Sequence, residues 1–209
     1  MSLASTTSVK CPKCGTEAEA EVILSINAER DARQKQLLMA GALNRMACVC
    51  GYSARLASKL LYSDLALSFF CQVVPGGDAA LMEARQAFSA IESGTKRIVP
   101  DLNALVEKVK LLEAGLNDWV IELCKLELLG SIGERDLNRI VLFEGVDLER
   151  QHINWVIFDR ESKAPQRLTS SLEPYTRGVD AWAAPAANAF EIDRRWAQET
   201  ARKVAALPN

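Results

Sequence analysis

Histidine is almost missing from this 209-residue chain, which carries His152 as its single copy. Any Ser-His-Asp or Cys-His mechanism would have to use that one residue. His152 follows Gln151 at the start of a predicted strand, and no G-x-S-x-G, Walker or G-x-G-x-x-G pattern accompanies it. We therefore expect His152 to be a surface or strand-end residue, and we expect the protein not to be an enzyme.

The chain also lacks an excess of basic charge, a signal sequence and a long apolar run. Its 25 Lys and Arg face 27 Asp and Glu, a formal net charge of −2, which argues against a chain-wide nucleic-acid footprint. The first eight residues have no basic or apolar signal-peptide region. No apolar run reaches the roughly 18 residues that suggest a membrane span. We expect a cytoplasmic protein without a membrane partner.

What the chain does have is an ordinary globular composition, with 49% hydrophobic and 25% charged residues. A chain of 209 residues can form one large or two small domains with their own cores. A metal is therefore not needed for the whole fold, and its effect should be local.

Two cysteine pairs carry the strongest signal in the sequence. They are Cys11-Pro12-Lys13-Cys14-Gly15 and Cys48-Val49-Cys50-Gly51, each running into a glycine that permits a sharp turn. In a reducing compartment, paired cysteines at this spacing favour metal over disulfides. The pattern predicts a zinc ribbon in which Cys11, Cys14, Cys48 and Cys50 hold a structural Zn²⁺.

Two other interpretations of these cysteines stay open: a structural role without metal, and a thiol redox protein. A dithiol catalyst usually places its C-x-x-C at a helix N-terminus, whereas Cys14 leads into a predicted strand. A catalytic zinc keeps an open position, which four thiolates would close. The remaining cysteines, Cys71 and Cys124, lie in apolar patterns and should be buried core residues.

Alternation of apolar residues predicts a half-buried strand over 17–27, followed by a short helix over 28–40 that stops at Gly41. Two strands, 52–62 and 65–74, should join at Ser63-Asp64. Pro75-Gly76-Gly77 should end this unit. A helix from Asp78 to Ser93 and a short strand at 97–99 should follow.

The strongest helical periodicity runs from Pro100-Asp101 to Gly130. It predicts one long helix, although Gly115-Leu116-Asn117-Asp118 resembles a break and a new N-cap. The residues expected in the core of the second half, against strands around Val141 and Trp155, are Leu105, Val109, Leu112, Leu116 and Leu123. Glu107, Asp118 and Glu122 are expected on the polar side or rim of this helix.

Antiparallel strands are predicted at 139–144 and 152–159, a further strand at 166–170 and helices around 172–182 and 190–207. The fold class is therefore α+β: a zinc-ribbon-containing N-terminal β unit, then a long helix packed on a small antiparallel sheet, with C-terminal helices. The predicted division is 1–77 for the ribbon unit and 78–209 for the helix-plus-sheet body.

Beyond the cysteines, several further segments occur in a recognisable order. They are Ser25-Ile26-Asn27, Gly41-Ala42-Leu43-Asn44, Leu60-Leu61-Tyr62-Ser63-Asp64, Arg97-Ile98-Val99, Asn103-Ala104-Leu105-Val106-Glu107-Lys108 and Gly115-Leu116-Asn117-Asp118-Trp119-Val120-Ile121-Glu122-Leu123. Together with the cysteine pairs, they resemble the CpXC domain, a bacterial and archaeal family named for its two cysteine pairs. The resemblance covers roughly residues 1–130 and leaves 131–209 as a C-terminal extension.

This chain departs from the family pattern in one place. The family's second pair is a C-P-x-C like its first, whereas Val49 alone separates Cys48 from Cys50. The resemblance implies the fold and the four-thiolate site but no activity.

The function that these patterns favour is a non-enzymatic zinc-binding scaffold or interaction protein, with an unknown protein partner or self-association. The alternative is a nucleic-acid-binding zinc ribbon, because ribbons often present a hairpin to DNA or RNA. The candidate contacts are Lys10, Lys13, Arg45, Arg55 and Lys59, with Tyr52 as a stacking residue. Glu17, Glu19 and Glu21 on the neighbouring strand make that surface mixed in charge, so nucleic acid is not favoured.

Overall fold

The computed structural model of the protein describes residues 3–131, 139–159 and 164–205. The chain divides into two compact units, Met1–Val106 and Glu107–Asn209. Helices and strands are mixed along both units, which confirms the α+β class. None of the helices in these described stretches is long and apolar enough to cross a membrane.

The first unit is built mainly of short strands. In chain order its elements are β1 Ala4–Lys10, β2 Glu17–Ile23, β3 Ser25–Asn27, α1 Ala32–Met39, β4 Arg45–Ala47, β5 Ser53–Arg55, β6 Leu60–Asp64, β7 Phe69–Val73, α2 Asp78–Ser89 and β8 Thr95–Val99. Antiparallel pairs β1-β2 and β4-β5 form two hairpins, and a four-stranded mixed sheet has the order β3-β6-β7-β8.

The strand predicted over 17–27 forms as β2 and β3, separated at Leu24. The alternation is confirmed at Ala20, Val22 and Ile26, which are buried, but it fails at Ile23, which is buried on the opposite face. Its partner β1 is not among the strands predicted from the sequence. Three β-branched residues, Thr6, Thr7 and Val9, were the available signal.

The first predicted helix is shorter than expected because a turn precedes it. Asn27 accepts hydrogen bonds from the backbone N–H groups of Glu29 and Arg30, and Asp31 accepts one from the N–H of Asn27. These bonds hold residues 27–31 outside the helix. Gly41 ends α1 at φ 70°, in the left-handed conformation expected of a helix-terminating glycine.

The predicted junction of two strands at Ser63-Asp64 is wrong, since both residues lie within β6. The chain turns at residues 65–68, where the Asp64 carboxylate accepts the N–H of Leu67. The strand predicted over 52–62 is interrupted, with β5 and β6 separated by residues 56–59. The division predicted after residue 77 falls between β7 and β8, which pair in one sheet.

The second unit begins within α3 and continues through a three-stranded sheet. Its elements are α3 Leu102–Glu113, α4 Asp118–Ser131, β9 Arg139–Asp147, β10 His152–Asp159, β11 Pro165–Ser171, α5 Glu173–Ala181 and α6 Arg194–Ala205. The antiparallel sheet has the order β11-β10-β9 and confirms the three strands predicted there. Positions 206–207 of the last predicted helix lie outside the described residues.

The prediction of a single long helix is wrong. The chain forms two helices, α3 and α4, with a break at Gly115 between them. Gly115 has φ 67° and its N–H bonds the carbonyl of Leu112, while the N–H of Leu116 bonds the carbonyl of Leu111. This pair of bonds is a Schellman motif, which satisfies the last carbonyls of α3 and turns the chain. The apolar periodicity crosses the break without losing phase, so periodicity alone could not reveal it.

A core joins α4 to the sheet in the second unit. Val141 and Trp155 belong to it as expected, and Phe143 packs edge-on against Trp155 with ring centroids 6.3 Å apart. The remaining buried members are Leu111, Trp119, Val120, Ile121, Cys124, Leu129, Ile153, Ile157, Leu172, Tyr175 and Ile192. Leu105 and Val109 are buried as predicted but are not among the residues of this core, and Leu112, Leu116 and Leu123 are only half-buried. Leu111 occupies the fully buried position instead.

Candidate metal centre

The first cysteine pair lies in the turn between β1 and β2. The N–H of Cys11 bonds the carbonyl of Thr16, and the N–H of Gly15 bonds the carbonyl of Cys11, both at 2.9 Å. Gly15 adopts φ 76°, a conformation that residues with a Cβ rarely take. The glycine therefore closes the turn that points Cys11 and Cys14 to the same side.

The second pair lies in the turn between β4 and β5, and that turn is one residue tighter. The N–H of Gly51 bonds the carbonyl of Cys48 at 2.9 Å, three positions back instead of four. Gly51 again adopts a positive φ, 81°. The missing residue of the C-x-C pair is therefore absorbed by a shorter turn, and both cysteines still face inward.

Asn44 fixes the second hairpin to the end of the first. Its side chain accepts the N–H of Ile23 at 2.8 Å and donates to the carbonyl of Ile23 at 2.9 Å. Its amide also donates to the Ser58 hydroxyl. Asn44 is buried at φ 52°, which asparagine tolerates better than most residues. This positioning role was missed, although Asn44 was part of a recognised motif.

The two hairpins bring four sulfur atoms together. The Sγ atoms of Cys11, Cys14, Cys48 and Cys50 all lie within 4.8 Å of one another. Across the hairpins, the Cys11 and Cys50 Sγ atoms are 3.7 Å apart, and those of Cys14 and Cys48 are 3.5 Å apart. In a tetrahedral site with Zn–S bonds of about 2.3 Å, neighbouring sulfurs are about 3.8 Å apart. The cluster thus has the size that a single tetrahedral metal ion requires.

Burial is uneven within the cluster. Cys11 and Cys48 are buried, Cys50 is half-buried and Cys14 is exposed. Val9, Ala18, Tyr52, Ala54 and Leu56 pack around the buried sulfurs. One side of the cluster is therefore shielded by apolar side chains, and the side carrying Cys14 is open to solvent.

The environment also separates the thiols in acidity. Hydrogen bonds from the side chain and backbone of Thr16 lower the pKa of Cys14 to about 6. A backbone hydrogen bond from Tyr52 favours the Cys50 thiolate, but burial and the neighbouring sulfurs outweigh it and raise its pKa to about 12. Ionisation of all four neighbouring sulfurs together is favourable only when a cation offsets their negative charge.

The other predicted residues lie elsewhere or are engaged in packing. His152 is exposed at the start of β10, as expected of a strand-end residue. Cys71 and Cys124 are buried, with exposed fractions of 0% and 7%. Both cysteines are therefore buried core residues, as predicted.

Two of the candidate nucleic-acid contacts, Arg55 and Lys59, have partners within the first unit. Arg55 donates to the side chain of Asn103 and to the carbonyl of Gly41, and Lys59 pairs with Glu83. Arg45 lies opposite Arg55 across the β4-β5 hairpin. Burial is the main cause that lowers the pKa of Arg55, and repulsion from the charge of Arg45 lowers it further.

The prediction that Glu107 and Glu122 lie on the polar side or rim of the helix is wrong, because both carboxylates are buried. Lys125 Nζ lies 2.7 Å from Glu107 and 2.8 Å from Glu122. Lys108 Nζ lies 2.8 Å from Asp118 and 3.6 Å from Glu122. We call these five residues the ion cluster. A signal existed in the sequence, since Asp118, Glu122 and Lys125 share one face of α4 at core spacing.

Two cysteine hairpins that converge on one sulfur cluster define a protein with a four-cysteine site able to hold a metal ion. The chain belongs to the CpXC protein family, which matches residues 9–125, more than half of the chain. The match includes all four cysteines and every member of the ion cluster. It confirms the resemblance drawn from the sequence motifs. No curated protein and no solved structure matches the chain.

Proposed function

We propose that this protein is a non-enzymatic zinc-binding scaffold, in which a structural Zn²⁺ held by Cys11, Cys14, Cys48 and Cys50 closes the two hairpins into a zinc ribbon. The observation that carries the proposal is the convergence of four sulfurs within 4.8 Å of one another, with two distances across the hairpins of 3.7 Å and 3.5 Å. Four thiolates are a typical structural zinc set and leave no open position for substrate. The ribbon then serves to present a surface to a protein partner or to a second copy of the chain.

A Cys11→Ser variant tests the structural role of the metal. Hydrogen exchange should rise in the cysteine hairpins, residues 4–23 and 45–55, more than in the second unit, because the second unit has its own core. Cys71→Ala is the matched control, since Cys71 is buried outside the cluster. An even rise along the whole Cys11→Ser chain would contradict the local role.

Nucleic-acid binding is the rival function, favoured by the cross-strand pair Arg45 and Arg55 and by exposed Lys13. Counterion release by so few cations should give weak binding that is lost at moderate salt. The scaffold proposal therefore expects no stable complex with labelled single- or double-stranded DNA or RNA at physiological salt.

The matched variants for that titration are Lys13→Gln/Arg45→Gln in the hairpins and Arg202→Gln/Lys203→Gln in α6, which remove equal charge from exposed positions. Submicromolar binding at physiological salt that only the hairpin variant abolishes would overturn the scaffold proposal. If no complex forms, pull-down with wild type and Cys11→Ser shows whether a protein partner requires the intact ribbon.

A further inference from the structure

Two of the close sulfur–sulfur contacts in the cluster cross from one hairpin to the other. Cys11 Sγ lies 3.7 Å from Cys50 Sγ, and Cys14 Sγ lies 3.5 Å from Cys48 Sγ. A disulfide bond is about 2.05 Å long, so each pair must close by only about 1.5 Å. Both pairs are therefore poised to form disulfides that link the hairpins.

Each contact joins a more accessible sulfur to a buried one. Exposed Cys14 faces buried Cys48, and half-buried Cys50 faces buried Cys11. An oxidant from solvent reacts first with the accessible sulfur and gives a sulfenic acid. The buried sulfur of the pair is already in place to attack that sulfenic acid and form a disulfide. This division into an attacking and a resolving cysteine is typical of thiol modification sites.

We propose that the cysteine cluster is a modification site for hydroperoxides, at which Cys11–Cys50 and Cys14–Cys48 disulfides replace the metal and keep the hairpins joined. The inference rests on the proposed zinc site and adds a chemistry to it. The proposed disulfide pairing across the hairpins does not depend on which metal the site holds.

The short second motif disfavours a disulfide between Cys48 and Cys50, so two disulfides within the cluster must cross between the hairpins. A bond between Cys48 and Cys50 would close a ring over Val49 alone, which strains both the disulfide and the tight turn. The crossed bonds instead join residues 39 and 34 positions apart. Long closed loops restrict the unfolded chain most, so the crossed disulfides can stabilise the hairpins as the metal does.

The chemistry balances with hydrogen peroxide as the oxidant. The Cys14 thiolate attacks one peroxide oxygen, the O–O bond breaks, and a sulfenic acid and a hydroxide form. The Cys48 thiolate then attacks the Cys14 sulfur and releases a second hydroxide as the disulfide forms. Cys50 and Cys11 repeat the sequence with a second peroxide. In total, four thiolates and two peroxides give two disulfides, four hydroxides and one released Zn²⁺.

The test treats the zinc-containing full-length chain with hydrogen peroxide and follows released zinc with a chromogenic chelator. Trypsin separates Cys11, in peptide 11–13, from Cys14, in peptide 14–30, and leaves Cys48 and Cys50 together in 46–55. We expect one zinc released per two peroxides consumed and both N-terminal peptides joined to 46–55. Fragmentation between Cys48 and Cys50 should assign Cys11 to Cys50 and Cys14 to Cys48.

Cys71 and Cys124 are internal controls and should remain thiols, because both are buried outside the cluster. Hydrogen exchange of the hairpins should stay within about twofold of the zinc form. Peptide 11–13 joined to 14–30, sulfinic acids in place of disulfides, no reaction with excess peroxide, or hairpins that lose their protection would each overturn the inference. A chain that purifies without metal contradicts the proposed function alone, since the crossed pairing is then mapped on the metal-free thiols.

Discussion

The two units of this protein bury polar groups in opposite ways. In the first, buried Cys11 and Cys48 meet Cys14 and Cys50 at a site suited to a metal. In the second, the ion cluster pairs acidic side chains with buried basic side chains at 2.7–3.6 Å. Under the proposed function, the first site is completed by a metal ion from solution, whereas the charges of the second are paired within the chain.

The ion cluster ties together elements far apart in the sequence of the second unit. Glu107 on α3 accepts the N–H of Phe143 on β9, and Lys108 donates to the carbonyl of Ile192 at 2.8 Å. Every charge thus has a close partner, which buried ions require if they are not to destabilise the fold. The cluster therefore links β9 at Phe143 and the backbone at Ile192 to the residues of α3.

Lys125→Met should give the largest loss of stability, because it leaves the Glu107 and Glu122 carboxylates buried without their shared cation. Removing one member of a buried ion pair typically costs about 3–5 kcal/mol. Urea unfolding measures the change. Arg177→Met is the control: its pair with Glu127 is exposed and should cost under about 1 kcal/mol. Equal losses of unfolding free energy in the two variants would show that the ion cluster stabilises the fold no more than an exposed ion pair does.

The pH dependence of the stability lost in Lys125→Met is a second test of the ion cluster. Burial raises the pKa of Glu107, and attraction to Lys125 and Lys108 opposes this while Glu122 adds to it. A carboxyl with a raised pKa binds its proton more tightly in the folded state, so folding gains stability as pH falls through that pKa. Without Lys125 the pKa should rise further, and the loss of stability should be smaller at pH 5 than at pH 8. A loss that grows on acidification would contradict this assignment.

Leu111→Ala should come next, since Leu111 is completely buried in the core of the second unit. Such a truncation typically costs about 2–5 kcal/mol. Leu112→Ala is the matched control at the adjacent, half-buried position and should cost clearly less. The reverse order would mean that α3 is rotated from the face described.

Gly178→Ala should have a smaller effect that tests the packing of α5 on α4. A Cβ at Gly178 would lie 2.8 Å from Val120 Cγ1, too close for normal contact. Overpacking of this kind costs about 1–3 kcal/mol. Gly130→Ala in α4 meets nothing within 4 Å and should be neutral or slightly stabilising. A neutral Gly178→Ala would show that α5 packs loosely.

The same contrast explains what the sequence could reveal. Metal ligands come in close pairs beside turn glycines, so Cys11, Cys14, Cys48 and Cys50 are visible as a pattern. Ion-pair partners such as Glu107 and Lys125 are 18 positions apart, and only the fold brings them together. Their charge also favours a surface assignment, which tertiary packing here overrides.

Secondary structure shows a similar limit. Alternation over 17–27 and helical periodicity over 102–131 predict the kinds of element correctly. The break at Gly115 depends on hydrogen bonds between the backbone of residues 111–116, which leave the apolar spacing unchanged. The apolar periodicity also does not specify that Leu111 is buried and Leu112 only half-buried.

The most direct test of the account is the metal content of the wild-type chain purified without chelator, compared with Cys48→Ser. We predict about one zinc per wild-type chain, no zinc in the variant, and Zn–S distances near 2.3 Å by X-ray absorption. In the native wild-type protein, Cys11, Cys14, Cys48 and Cys50 should resist a thiol reagent until a chelator is added. Wild-type protein without metal, whose four clustered thiols react freely, would contradict the central claim.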